Sequence, residues 1–174
     1  MSGRQRPVIA VIGASAPDAD AWTAAQRLGE ALAAAGADVV CGGLGGVMEA
    51  VCQGARGGGA RTIGILPGTD RTAANAHVDV AVPTGLGEAR NALVVRAGDA
   101  VVAVAGGWGT LSEIALARRM GRPVIGLATW RAIDPDGVEA DLPRATDPAD
   151  AARRALDAAR RAPETAGDPR GPGR

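Results

Sequence analysis

The chain has 174 residues, of which 47% are hydrophobic, and this length suits one domain with a substantial core. All 19 basic residues are arginines, which excludes a Schiff-base lysine, a pyridoxal phosphate anchor and a P-loop lysine. The 19 acidic residues balance these arginines, no basic stripe stands out, and Phe and Tyr are absent, so we expect no nucleic-acid partner.

The cysteine and histidine content argues against a structural metal site. Cys41 and Cys52 lack the Cys-x-x-Cys spacing, and His77 is the single histidine, so the usual Cys/His zinc site cannot be assembled within one chain. We therefore predict no metal ion, and two buried thiols that pack as small hydrophobic groups. The first residues lack signal-peptide architecture, and no apolar run is long enough to span a membrane. We expect a cytoplasmic protein with no membrane partner.

Apolar, strand-like runs alternate with helical patterns along the chain. The predicted strands, in chain order, are 8–12, 38–41, 61–66, 77–82, 100–104 and 123–127. The predicted helices are 17–35, 47–57, 86–98, 110–120 and a final helix that follows the cap signal at 147–148 and runs to 161. This alternation predicts an α/β fold, a single-domain doubly wound, Rossmann-like and mostly parallel sheet flanked by helices, over residues 1–162. The Pro/Gly-rich segment 163–174 is predicted to be a disordered tail.

Glycine-rich loops follow three of the predicted strands, beginning at Gly13, Gly42 and Gly106. Parallel strands bring such loops together at the carboxyl edge of the sheet, where ligands bind. None of the loops carries the Gly-x-Gly-x-x-Gly fingerprint, so we predict no dinucleotide and no other cofactor. A helix that opens at Thr110 leaves backbone N–H groups unpaired where the macrodipole favours an anion such as phosphate. The candidate phosphate- or ligand-binding residues are Gly13, Ser15, Gly42, Gly43, Asn91, Gly106, Gly107, Trp108, Gly109 and Thr110.

Three polar residues of this region each allow a structural alternative. Glu113 would place a carboxylate beside the phosphate, but Thr110-Leu-Ser-Glu113 also matches a capping box in which the glutamate ties back to the helix cap. Arg90 could hold a phosphate or a sugar oxygen bidentately, or it could be a solvated arginine near Glu88. Ser15 could line the crevice or cap the first helix.

Four motifs together resemble one known family. In chain order they are Gly42-Gly-Leu-Gly-Gly-Val-Met-Glu49, Gly64-Ile-Leu-Pro67, Thr84-Gly-Leu-Gly-Glu-Ala-Arg-Asn91 and Gly106-Gly-Trp-Gly-Thr-Leu-Ser-Glu113. From about Val8 to Leu127 the chain resembles the LONELY GUY superfamily, which was long mislabelled as lysine decarboxylases. Its cytokinin-activating enzymes cut the N-glycosidic bond of a nucleoside 5′-monophosphate. By match of motif, the resemblance implies catalytic roles for Arg90 and Glu113.

The chain departs from those enzymes at two positions of the pattern. The enzymes carry Pro-Gly-Gly where this chain has Ala105-Gly106-Gly107, and Met-x-x-Arg-Lys where it has Gly87-Glu-Ala-Arg90-Asn91. The second version looks more like the branch that contains the molybdenum cofactor carrier protein. The resemblance thus implies binding of a phosphorylated small molecule, either a nucleoside monophosphate or a pterin-type cofactor.

The expected activity is that of a phosphoribohydrolase, and the alternative is a carrier or sensor that binds a molybdenum cofactor-like ligand without turning it over. A carboxylate near the anomeric carbon would stabilise an oxocarbenium-like transition state. We also expect a homodimer or higher homo-oligomer, because relatives associate and helix 86–98 presents Leu93, Val94 and Val95. The alternative is that these three side chains all pack on the sheet.

Overall fold

A computed structural model describes residues 6–161 of the chain. The strands β1 to β6 are Val8–Gly13, Asp38–Cys41, Thr62–Leu66, Val80–Pro83, Ala100–Val104 and Val124–Leu127. The helices α1 to α5 are Ala19–Ala34, Val47–Gly57, Asn91–Ala97, Trp108–Arg119 and Pro148–Arg161. Two short 3-10 helices, Arg71–Ala73 and Gly87–Arg90, lie beside β4 and before α3. The predicted tail 163–174 lies outside the described residues.

The six strands form one sheet in the order β4-β3-β2-β1-β5-β6, and every pairing between them is parallel. Successive strands run outward from β1 to one edge as far as β4, and the chain then returns to place β5 on the other side of β1. The strand order therefore reverses between β1 and β5. In open parallel sheets, this reversal opens a crevice at the carboxyl ends of the two strands.

Helices cover both faces of the sheet, as the alternation of side chains along β1 shows. Ile9 and Val11 pack in a cluster with buried residues of α1, α2 and α5. Ala10 and Ile12 pack on the opposite face with buried residues of α3 and α4. The predicted doubly wound α/β fold is confirmed.

Several predicted boundaries are wrong by a few residues, and local hydrogen bonds explain them. Helix α1 begins after Asp18, whose Oδ1 accepts a hydrogen bond from the Ala21 N–H at 2.8 Å, so Ser15 is not its cap. The predicted strand 77–82 begins only at Val80, because Val78 N–H closes a turn onto Asn75 O at 3.2 Å. The predicted helix 86–98 begins as a 3-10 turn and becomes α-helical at Asn91.

Helix α3 and the two cysteines bear on the remaining structural expectations. Val94 and Val95 are fully buried on the sheet, whereas Leu93 is 42% exposed. Cys41 and Cys52 are fully buried as predicted, with their sulfur atoms 3.5 Å apart. Among residues 6–161, no helix combines the length and the apolar character needed to cross a membrane.

Candidate functional site

A cleft with a volume of about 390 Å³ opens at the carboxyl edge of the sheet, beyond the ends of the paired strands β1 and β5. The loops that follow β1, β2 and β5 line it together with the 3-10 helix before α3. A volume of this order matches a small-molecule site. All the predicted site residues line this cleft except Gly43 and Gly106. Lining residues that the sequence reasoning missed are Val11, Ile12, Leu44, Met48, Pro67, Gly87 and Glu88.

A second, larger cleft of about 620 Å³ lies between α5 and the start of β6. Its charged residues include Arg153, Arg154 and Asp157, and none of its lining side chains is a buried charged group. In the cleft at the carboxyl edge, Arg90 and Glu113 are buried ionisable groups. Burial of an ionisable group without full pairing lowers the stability of the fold, and such groups cluster at functional sites. The smaller cleft is therefore the candidate site.

Helix α4 begins on this cleft with an uncapped N-terminus. Its cap residue is Gly107, which has no side chain to offer, and the helix starts at Trp108 rather than at Thr110 as predicted. The first helical hydrogen bond runs from Leu111 N–H to Gly107 O at 3.1 Å. In the described part of the chain, the N–H groups of Trp108, Gly109 and Thr110 therefore lack an acceptor. Such a terminus favours an anionic ligand.

The two predicted residues outside the lining shape the loops instead. Gly43 N–H donates a hydrogen bond to the buried Cys41 sulfur at 3.3 Å, which turns this donor away from the cleft. Gly106 has φ of +120°, and a Cβ atom there would lie 2.5 Å from the Thr110 Cβ. Only glycine fits this backbone and this contact.

Arg90 lies at the base of the cleft with an incomplete set of partners. Its side chain is 10% exposed, its Nη2 donates to Gly42 O at 3.4 Å, and its Nη1 donates to Asn91 Oδ1. Its buried Nε has no acceptor within residues 6–161. The alternative of a solvated arginine paired with Glu88 is wrong, because the guanidinium is buried and faces Glu113.

Glu113 faces Arg90, with 4.0 Å between its Oε1 and Arg90 Nη1, which is too long for a hydrogen bond. The capping-box alternative is wrong, because Gly107 occupies the N-cap position of α4 and Thr110 is already inside the helix. Burial raises the pKa of Glu113 to about 7 from 4.5, and the Arg90 charge opposes this rise only in part. The carboxyl group therefore titrates near neutral pH, as a general acid or base requires.

Ala105, immediately before the glycines of this loop, has a left-handed backbone with φ of +49°. Its N–H donates to Leu127 O at 3.1 Å, and its carbonyl accepts from the Thr129 hydroxyl. Proline can neither adopt this φ nor donate this hydrogen bond. The loop therefore has a backbone that a Pro-Gly-Gly sequence cannot follow.

An aromatic pair stands at the rim of the same loop. The ring centroids of Trp108 and Trp130 are 5.2 Å apart, with the ring planes tilted by 39°. Trp130 Nε1 donates to Gly107 O at 3.1 Å, which ties the loop after β6 to the start of α4. The sequence reasoning did not select Trp130, because it lies 22 residues beyond Trp108 and outside every motif.

Comparison with known proteins agrees with this fold and this set of motifs. A model of the SLOG cluster4 family matches residues 6–152. The structure of the molybdenum cofactor binding protein of Rippkaea orientalis is 32% identical, with a TM-score of 0.79, and the match covers 89% of this chain and 98% of that one. The molybdenum cofactor carrier protein of Chlamydomonas reinhardtii is 30% identical, with a TM-score of 0.76, and the match covers 88% and 98%.

A probable cytokinin riboside 5′-monophosphate phosphoribohydrolase of Oryza sativa is 37% identical over 94 residues, which is 52% of this chain and 41% of the rice protein. The resemblance to the LONELY GUY superfamily is thus confirmed at the level of the family, with similar proteins in both its enzyme and its carrier branches. The matched residues include both β-strands that form the cleft and all of helix α4. The chain belongs to the SLOG cluster4 family.

Proposed function

We propose that the cleft binds a nucleotide-like phosphorylated ligand and that the protein cleaves the N-glycosidic bond of a nucleoside 5′-monophosphate. The observation that carries this proposal is the buried pair of Arg90 and Glu113, which stands beside the uncapped start of α4 with unused hydrogen-bonding capacity on both members. An anion site and a carboxyl group with a pKa near 7 are then held on one helix.

The phosphate would bind at the N–H groups of Trp108, Gly109 and Thr110. Arg90 would complete its hydrogen bonds with a phosphate or ribose oxygen, since its guanidinium is permanently charged and its Nε is unpaired among residues 6–161. Glu113 lies one helical turn beyond the anchor, so the sugar would lie over its carboxylate.

The chemistry depends on the charge that develops in the transition state. As the bond between the anomeric carbon and the base nitrogen breaks, the sugar becomes oxocarbenium-like, and ionised Glu113 would stabilise it. A water oxygen then bonds to the anomeric carbon, Glu113 accepts one water proton, and that proton passes to the departing base nitrogen. The products are the free base and ribose 5-phosphate.

A second candidate function is a carrier of a molybdenum cofactor-like ligand, bound in the same cleft without turnover. Ala105 favours it, because its left-handed backbone differs from anything that a Pro-Gly-Gly loop can adopt. The carrier and binding proteins of Chlamydomonas and Rippkaea also match over nearly their full length, whereas the rice hydrolase matches over 41% of its own.

Incubation of the purified protein with a panel of nucleoside monophosphates separates the two functions. Chromatography that detects free base and ribose 5-phosphate in equal amounts supports the hydrolase. Tight binding of a nucleotide or a pterin phosphate with no product over many hours supports the carrier. A melting temperature that no nucleoside monophosphate, ribose 5-phosphate or pterin phosphate raises would count against both.

We also propose that the protein is a homo-oligomer, most simply a two-fold dimer. Leu93 on α3 and Leu86 just before the 3-10 helix that precedes α3 are 42% and 52% exposed, so each leaves apolar surface uncovered. Light scattering at micromolar concentration is expected to give a multiple of the 17.3 kDa chain mass. A mass equal to a single chain would remove this proposal.

A further inference from the structure

The aromatic residues of this chain are few, and their placement is uneven. The chain has three tryptophans and no phenylalanine or tyrosine. Trp22 packs against the core cluster formed by α1, α2 and α5. The other two, Trp108 and Trp130, meet at the rim of the candidate cleft.

Trp108 lines the cleft and yet is 78% exposed, the most exposed large hydrophobic residue among residues 6–161. Its contact with Trp130 has the separation and tilt of a favourable aromatic pair. Trp130 is in turn fixed by its hydrogen bond to Gly107 O. The Trp108 ring is therefore supported from one side and anchored at the point where α4 begins, with most of its surface uncovered.

We infer that Trp108, supported by Trp130, is a stacking platform for the planar bicyclic heterocycle of the ligand. The inference rests on the proposed function, because it assigns the heterocycle to a position beside the phosphate anchor. Trp108 supplies both a backbone N–H at the start of α4 and an exposed ring on the same residue. A ligand that bears phosphate and heterocycle would thus contact Trp108 at both ends.

If the ligand stacks on Trp108, removal of this ring should weaken the binding of the heterocycle and not that of the phosphate. Base stacking on an aromatic ring is sequence-tolerant, because every base has a π-face, so the platform would accept purines and pterins alike. The side chain would not select between them. Selection would fall to polar groups that line the cleft, such as Glu88 and Asn91.

The test compares AMP and GMP with ribose 5-phosphate, which shares their phosphate and sugar but lacks the heterocycle. Binding is measured by calorimetry with proteins that all carry Glu113→Gln, so that no nucleotide is consumed. Trp108→Ala should weaken nucleotide binding about tenfold, and ribose 5-phosphate binding less than twofold. Trp108→Phe, which keeps a ring, should restore nucleotide binding to within about threefold, and Trp22→Phe is the matched control for a tryptophan outside the cleft.

Tryptophan fluorescence gives an independent measurement on the same proteins. Nucleotides should quench the emission of the parent and of Trp22→Phe, and the quenching should be lost in Trp108→Phe. Equal weakening of nucleotide and ribose 5-phosphate by Trp108→Ala would overturn the inference, because it would indicate a role in loop structure. A change of solution mass in Trp108→Ala together with equal weakening would overturn it in favour of a contact between copies of this chain.

The failure of the inference is distinguishable from failure of the proposed function. If ribose 5-phosphate binds and the nucleotides bind no more tightly, the anchor stands and the platform is overturned. If ribose 5-phosphate, the nucleotides and a pterin phosphate all fail to bind the parent protein, the proposed phosphate site fails, and the platform fails with it.

Discussion

Two arginine–glutamate pairs in this molecule differ in almost every physical respect. The surface pair, Arg131 with Glu139, is bidentate, with Nε to Oε1 at 3.0 Å and Nη2 to Oε2 at 2.5 Å. The cleft pair, Arg90 with Glu113, is buried on both sides and separated by 4.0 Å. The surface pair is geometrically complete and exposed to solvent, whereas the cleft pair is buried and its two members are too far apart to hydrogen-bond.

The two glutamates respond in opposite directions to their surroundings. Hydrogen bonding to Arg131 lowers the pKa of Glu139, while burial raises the pKa of Glu113 to about 7 in spite of Arg90. An exposed pair of this kind contributes little to stability even when its geometry is good. A buried pair without full hydrogen bonding costs stability, and groups of this kind cluster at functional sites.

The largest expected effect is on turnover by Glu113→Gln. Glutamine keeps the shape of the side chain and removes the negative charge, so release of base should fall by roughly a hundredfold or more, for loss of a few kcal/mol of electrostatic stabilisation. Nucleotide binding should be retained. Product formation is followed by chromatography and binding by calorimetry.

Glu139→Gln is the matched control and should leave turnover unchanged within about twofold, since neither member of this exposed pair lines the cleft. If the parent protein binds nucleotide tightly but releases no base, and Glu113→Gln binds equally well, the hydrolase proposal fails and the carrier remains. Equal losses of turnover in Glu113→Gln and Glu139→Gln would show that the cleft glutamate has no special role in the reaction.

The contributions of the two glutamates to the stability of the fold should change with pH in opposite directions. Between pH 4.5 and about 7, the folded protein retains the Glu113 proton that the unfolded chain releases, so rising pH destabilises the fold over this window. The raised pKa corresponds to a loss of about 3 kcal/mol in the free energy of unfolding across this window. Glu113→Gln should remove this loss. Denaturant unfolding at pH 5 and pH 8 measures it, and an unchanged difference between those two pH values in Glu113→Gln would contradict the assignment.

The lowered pKa of Glu139 predicts the reverse. Its contribution to stability is present above its ordinary pKa of 4.5 and is lost as the pH falls through the lowered value. Glu139→Gln should therefore reduce the acid sensitivity of the fold, by a small amount because the pair is exposed.

The titration of Glu113 also predicts that kcat/KM rises with pH up to about 7, because the ionised carboxylate is the form that stabilises the transition state.

Arg90→Ala should weaken ligand binding as well as turnover, because the positive charge that would hold a phosphate or sugar oxygen is removed. We expect a loss of affinity of about tenfold or more for ribose 5-phosphate, as for a charge-assisted hydrogen bond. Arg131→Ala is the control and should leave affinity unchanged. Calorimetric titration of both variants measures the difference, and full affinity in Arg90→Ala would remove the anchor role.

The smallest expected effect is the loss of the surface pair itself. Arg131→Ala and Glu139→Gln should each leave the free energy of unfolding almost unchanged, because an exposed ion pair contributes little to stability. Denaturant unfolding at pH 7 measures this. A larger loss of stability in these variants than in Glu113→Gln would show that the surface pair, and not the cleft pair, is the energetically important one.

The fold and most of the cleft could be predicted, because a parallel sheet places the loop after each strand at the same edge. The run from Ala100 to Val104 followed by glycines is sufficient to locate the loop that leads from β5 into α4. The start of α4 was misplaced by two residues, because glycine can cap a helix without a side chain and leaves no signal in the sequence.

Burial and long-range contacts were the properties that the sequence could not supply. Thr110 and Glu113 match a capping box equally well whether the carboxylate lies on the surface or beneath a cleft. The position of Arg90 opposite Glu113 depends on how α3 packs beside α4, which no local pattern encodes. Trp130 reaches Gly107 only because β6 lies beside β5.

The left-handed backbone at Ala105 restricts which residues can occupy this position. Replacement of alanine by proline would require φ to move from +49° to about −65°, and would remove the hydrogen bond to Leu127. The two φ values lie in separate regions of backbone conformation, so the neighbouring residues of the loop would have to rearrange together with the substitution. Exchange of alanine for proline at this position alone therefore does not convert one kind of loop into the other.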